Sequence, residues 1–208
     1  MIDIIVVGED EVTREIIKRL LDFSDKGFQV FREEPVRGSQ IKEKFLNYNL
    51  LSNKMPVFVL MDSDNECSVA LRNNLLKENT VGKNMLFRIA YFEAELWLMA
   101  DRKGFAEFLK IKSELIPMSE QIDKKKVYIN ELNFPYKPSL YLMTELVSKS
   151  KDADIKQKLT PKFKAKKGPE YNSTIVPFIK NKWNIDEAMK NSYSLRKAIE
   201  RIRGFQKS

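Results

Sequence analysis

The sequence predicts an α/β fold: a mostly parallel four-stranded sheet flanked by helices, followed by a basic helical C-terminal appendage. Three observations carry this expectation. Short apolar runs alternate with stretches of helical spacing through residues 2–101. One run, Pro56-Val-Phe-Val-Leu-Met61, is apolar from end to end, as a central strand buried on both faces must be. Acidic residues follow the runs: Glu9, Asp62 with Asp64, and Glu93 with Glu95.

Residues 2–7 read as the first strand, ending at Gly8-Glu9-Asp10-Glu11. Residues 13–23 carry Ile16, Ile17, Leu20 and Leu21 at helical spacing, with Arg14, Lys18 and Arg19 outward. The acidic turn between them lacks the glycines and lysine of a phosphate cradle, which argues against nucleotide binding there. Residues 27–31 read as a second strand, and Ser39 as the cap of a helix reaching about Leu51. The run at 56–61 is the third strand. A helix is expected over 69–77, a fourth strand over 84–89 and a strongly apolar helix over 91–101.

Beyond Asp101, prolines at 117, 135, 138, 161, 169 and 177 cut the chain into short pieces. Helices are expected over 104–115, 138–149 and 175–183, with a last one from about Leu195. Residues 160–169, with lysines at 162, 164, 166 and 167, read as a mobile loop. The expected organisation is a sheet domain over 1–110, with a basic helical region over 111–208 packed on it.

Charge divides the chain in the same way. Residues 1–101 hold 13 Lys/Arg and 17 Asp/Glu, a net of −4; residues 102–208 hold 24 and 12, a net of +12. An acidic half followed by a basic half fits a metal-binding part and a polyanion-binding part; a lysine-rich solubilising surface is the plainer alternative. No apolar run approaches the roughly 20 residues of a membrane span. The amino terminus lacks the basic and small-residue features of a signal peptide. The single cysteine, Cys67, forms no internal disulfide and fits a reducing cytoplasm. With no histidine in the chain, His-dependent triads, zinc hydrolases of the HExxH type and histidine haem ligation are excluded. Cys67 also lacks its usual base partner and reads as structural.

Asp62 and Asp64 lie at the end of the third strand, where open α/β sheets hold their ligands. Their spacing sets both side chains on one side of an extended chain. Two carboxylates so close call for a cation between them or a proton on one. Magnesium, or manganese in its place, is the economical choice. The structural alternative is an Asp-rich turn, with Asp62 or Asp64 capping a helix near Asn65 or Ser68.

A glutamate after strand one and a DxD after a later central strand resemble the Toprim fold, the metal-binding domain of topoisomerases, primases and OLD-type nucleases. More closely, the chain resembles the DUF4276 family, often encoded beside an ATPase in bacterial anti-phage loci. The resemblance rests on Gly8-Glu9-Asp10-Glu11, Leu60-Met-Asp-Ser-Asp64, and the segment from Arg88 through Glu95-Leu-Trp97 to Ala100-Asp101. Lys167-Gly168 and a final helix near residues 194–203 extend it over most of the chain. It departs from the family at Glu9-Asp10, where Glu-Gly is usual; this leaves Glu9 and Glu11 both open for that role.

The resemblance implies a Mg²⁺-dependent nuclease with Glu9, Asp62, Asp64 and Glu95 catalytic and the first three binding the metal. Arg88, Lys162, Lys164, Lys166 and Lys167 are the expected contacts to nucleic acid, DNA or RNA, and the partner is an ATPase subunit. Carboxylate-held magnesium supplies both charge neutralisation and an activated water without histidine. Glu95 has a structural reading as well, an ion pair with Arg88 or Arg102 seven residues away. Glu93 reads either as a member of the site or as a helix-start carboxylate, and Trp97 as core. The competing function is a non-catalytic subunit sensing nucleic acid or phage protein. A DxD phosphotransferase is weaker, because no nucleotide loop is visible.

Overall fold

The computed structural model describes residues 1–36, 38–124 and 127–207, and the side chains of all of these except 38, 39, 121–124 and 127–129. The chain divides into two compact units. One comprises Met1–Tyr91 with Lys197–Ser208, the other Phe92–Arg196. The sequence sets its division at residue 110, within the second unit.

The first unit is the sheet. Strands β1 (Ile2–Gly8), β2 (Phe28–Pro35), β3 (Val57–Asp62) and β4 (Met85–Ala90) alternate with helices α1 (Glu11–Phe23), α2 (Gly38–Leu51) and α3 (Ser68–Leu76). Every strand pair is parallel and the order is β2-β1-β3-β4. The expected α/β class and four-stranded sheet are therefore observed. Val57 to Met61 are buried without exception, and β3 lies between β1 and β4. That is the environment its unbroken apolar sequence requires. β2, an edge strand, is mostly exposed and ends at Pro35, a residue with no ladder donor.

The order of strands creates a switch point. β1 is followed in sequence by β2 on one side, and the chain then crosses to place β3 on the other. Ligands in open α/β sheets bind outside the carboxyl ends of the two strands flanking such a point. Here those ends are Gly8-Glu9 and Asp62. Pairing of β1 with β3 stops at Val7↔Val59, so the two chains are free to part beyond it.

α1 starts at Asp10, whose carboxylate accepts from the Thr13 N–H at 2.8 Å and from the Thr13 hydroxyl at 2.9 Å. Its buried face is the expected Ile16, Ile17, Leu20 and Leu21. The expected Ser39 cap lies outside the described side chains. Phe45 of α2 meets Phe87 of β4 with ring centroids 4.5 Å apart, inside the apolar layer that α2 and α3 form with the sheet. From Lys197 the chain rejoins this unit, with Phe205 packed 5.5 Å from Phe28.

The second unit begins with α4 (Ala94–Met99), buried at all six residues, and α5 (Arg102–Leu109). A 3₁₀ turn (Ser113–Leu115) and an antiparallel hairpin follow, β5 (Ser119–Lys124) with β6 (Val127–Leu132). Then come α6 (Pro138–Tyr141), continued by a π turn (Leu142–Leu146) and a 3₁₀ turn (Val147–Lys149), and α7 (Ala153–Leu159). The remaining helices are α8 (Tyr171–Asn181), α9 (Ile185–Asn191) and α10 (Tyr193–Arg203), the last running on into the first unit. Phe105 and Phe178 pack edge to face at 5.2 Å, and Phe108 stacks 4.9 Å from Phe178. Among the described residues no helix is long and apolar enough to cross a membrane.

Candidate metal centre

The carboxyl-terminal end of β3 and the segment after β4 supply the acidic residues. Asp62 is the last residue of β3, half-buried, and its strand partner is Ala90, the last residue of β4. Ser63 N–H donates to the Ala90 carbonyl at 3.1 Å, and extended backbone then ends. Asp64 (φ +46°) and Asn65 (φ +71°) are left-handed. Asp64 is exposed, and it does not continue the strand that would aim it with Asp62. The cap position of α3 is Cys67, exposed and with no side-chain cap bond of its own.

After Ala90 the chain turns through Phe92, whose φ of +62° is an outlier for a bulky side chain. Such strain is tolerated where surrounding structure dictates it, commonly at functional sites. Glu93 and Glu95 follow, 4% and 5% exposed. Each offers a carboxylate oxygen within 4.8 Å of the other. Together with Asp62 they form an acidic group that could hold a metal ion.

Both glutamates are heavily bonded within the second unit. Glu93 accepts from the Ser139 N–H at 2.7 Å and the Ser139 hydroxyl at 3.0 Å, and pairs with Lys137 at 3.0 Å. α6 opens Lys137-Pro138-Ser139, so its first turn has one missing donor and one orphaned N–H. Glu93 satisfies that N–H from outside the helix. Glu95 accepts from Lys167 Nζ and from the Tyr171 hydroxyl, each at 2.8 Å. The Lys167 ammonium also lies 4.3 Å from the centroid of the Tyr171 ring. Glu95 thus pairs with Lys167, a partner the helical spacing does not offer; Arg102, one of the two expected, donates to the carbonyls of Ser113 and Ile116.

Burial, and then the charge of Glu95, raise the Glu93 pKa above the ordinary carboxylate value; Ser139 and Lys137 pull it partly back. Two carboxylates in this state repel, and a hard cation relieves both the repulsion and the burial. The donor set is oxygen throughout, as magnesium and manganese prefer over softer metals.

The other expected residues fall as follows. Glu9 is half-buried between the end of β1 and the Asp10 cap, and is not a member of the Asp62–Glu93–Glu95 group. Glu11 is exposed in the first turn of α1. Asp10 caps α1. Arg88 on β4 lines a cavity of about 140 Å³ with Ser68, Val69, Arg72, Phe87 and Ile89. Lys162, Lys164 and Lys166 are exposed in the segment between α7 and α8, and Lys167 at its foot is half-buried.

Two members of the resemblance are structural. Trp97 is buried and its Nε1–H donates to Ser194 Oγ at 2.8 Å. Ser192, beside it, donates to the buried Glu131 at 2.8 Å, and Glu131 also accepts from the Ser194 N–H at the start of α10. Asp101 caps α5 through the Gly104 N–H and accepts from the Asn184 N–H at 2.9 Å. Comparison with family models, curated proteins and solved structures finds no match for this chain.

Proposed function

We propose that this protein is a Mg²⁺- or Mn²⁺-dependent nuclease of Toprim type, related to the DUF4276 proteins and acting with an ATPase partner in anti-phage defence. The observation that carries this reading is the acidic group Asp62, Glu93 and Glu95 at the carboxyl ends of a parallel sheet. Its chemistry suits phosphodiester hydrolysis in a chain without histidine. A metal ion held there would neutralise developing phosphate charge and lower the pKa of water. Asp62 and Glu95 would hold the ion, Glu93 fixes the start of α6 and would lend its charge, and Glu9, at the other strand end of the switch point, would orient water. Lys167 and Tyr171 are positioning residues through Glu95. Arg88, with Arg72 beside it, offers guanidinium charge to a phosphate.

The second reading, a sensor without catalysis, draws support from the two lysines. Lys137 and Lys167 already neutralise Glu93 and Glu95, as in an acidic pocket that has become structural. Supercoiled plasmid and a long RNA, incubated with Mg²⁺ and with EDTA, separate the two. The nuclease reading predicts metal-dependent cleavage lost in Asp62→Asn and Glu95→Gln. Metal-independent binding of nucleic acid with no cleavage, with and without the ATPase, supports the sensor.

A further inference from the structure

Phe163 has no part in the acidic centre, yet it is the most exposed large apolar side chain of the described residues, at 106% of its reference area. Its backbone is left-handed at φ +54°, and Lys164 does not share that region. The Ala165 N–H donates to the Lys162 carbonyl at 3.1 Å, closing a four-residue turn with positive φ at its second position alone. That pattern favours glycine where Phe163 stands. A bulky ring there is strained, and no packing compensates it. Lys162, Lys164 and Lys166 are exposed around it, and residues 160–169 contain no carboxylate.

The base of this loop is fixed. The Glu170 N–H donates to the Lys158 carbonyl at 3.1 Å. Gly168 packs on the backbone of Leu159 so tightly that a Cβ would come within 2.4 Å of it. Lys167 is tied to Glu95. An aromatic tip ringed by ammonium groups therefore projects from an anchored stem.

We propose that residues 160–169 form a stacking finger for single-stranded nucleic acid, with Phe163 against an unpaired base and Lys162, Lys164 and Lys166 at the flanking phosphates. The inference rests on the nucleic-acid part of the function proposed above, and not on cleavage. Alternating ring and charge matches the alternation of base and phosphate along a single strand, where every base offers a π face. Duplex DNA keeps those faces covered. One ring among three charges is a weak anchor for a lipid surface, which needs a larger buried apolar area.

The test is fluorescence anisotropy with the full chain in EDTA. The probes are labelled 12-nucleotide oligo-dT and oligo-U, a matched 12-base-pair duplex, and phosphatidylserine vesicles. Single strands are expected to bind more tightly than duplex. Phe163→Ala should weaken single-strand binding about five- to 150-fold, with Phe163→Trp retaining it. The triple variant Lys162→Ala, Lys164→Ala, Lys166→Ala should flatten the plot of log affinity against log salt by about 2, near 0.7 for each phosphate no longer neutralised. Circular dichroism and thermal midpoints check that each variant folds. The finger is overturned if Phe163→Ala binds single strands as the wild type does, if duplex binds equally well, or if Phe163 matters only for vesicles. Parallel assays with Mg²⁺ keep the two proposals apart. Phe163-dependent binding without cleavage retires the nuclease alone, and cleavage with Phe163-independent binding retires the finger alone.

Discussion

Replacing Lys167 with methionine isolates the charge that the protein itself sets against its buried glutamate. Methionine keeps an unbranched apolar stem of similar length and removes the ammonium, which also lies over the Tyr171 ring. The bond removed is charge-assisted, 2.8 Å long, to a carboxylate 6% exposed. Hydrogen bonds to charged groups contribute about 1.5–3 kcal/mol net. The Lys167 side chain is 34% exposed, so water screens the pair and the lower end applies. The cation–π contact adds about 0.5 kcal/mol. A loss of about 2 kcal/mol lowers the thermal midpoint of a chain this size by about 4–8 °C. Differential scanning fluorimetry in EDTA reads it directly. Repeating the scan in millimolar MnCl₂ gives the sharper result. A cation at the carboxylates replaces the missing ammonium, so the gap between variant and wild type should close by more than half. An equal gap in EDTA and MnCl₂ would refute the reasoning, as would a variant as stable as the wild type in EDTA.

Further outcomes follow from the same centre and its neighbours. Glu93 binds its proton more tightly folded than unfolded, because burial and Glu95 raise its pKa. Its contribution is therefore greatest below the ordinary carboxylate value and declines as pH rises through the raised value. Guanidinium unfolding from pH 4 to 8 without metal should show that decline in the wild type, superimposed on the other groups, and a flatter profile in Glu93→Gln. Identical profiles would exclude Glu93 as its source. Asp10→Ala should cost about 1 kcal/mol through loss of the α1 cap and leave manganese affinity unchanged by calorimetry; a weakened affinity would make Asp10 part of the centre.

The sheet was legible because its strands obey burial directly. Val57–Met61 is central and its residues are apolar on both faces, so composition alone locates it. The hairpin was not. β5 and β6 fall in a stretch rich in charge between Pro117 and Pro135, and the one cue, Val127-Tyr-Ile129, is short and lies beside Lys124-Lys125-Lys126. Pro177 reads as a breaker near a helix start, yet α8 begins at Tyr171 and carries it inside; Asn181 donates its side-chain amide to the Pro177 carbonyl at 3.1 Å.

The candidate site was legible in part for a similar reason. Asp62 and Glu95 are distinguished by position after apolar runs, and both belong to the acidic group. Glu93 was harder to separate from a helix-start carboxylate, because its first partner, Ser139, is 46 residues away. The DxD spacing suggested Asp64 only if the chain stayed extended, and it leaves that conformation at Asp64 itself. The partners that decide the electrostatics, Lys137, Lys167 and Tyr171, come from helix starts and a loop that no local pattern connects to the sheet. Lys167 was marked by its place in the lysine run, and its carboxylate partner was not.

Manganese titration of the full chain, followed by electron paramagnetic resonance of the free ion, tests the acidic centre most directly. One Mn²⁺ should bind per chain, with affinity reduced at least tenfold in each of Asp62→Asn, Glu93→Gln and Glu95→Gln. Equal binding by the wild type and all three variants, or none by any of them, would contradict it.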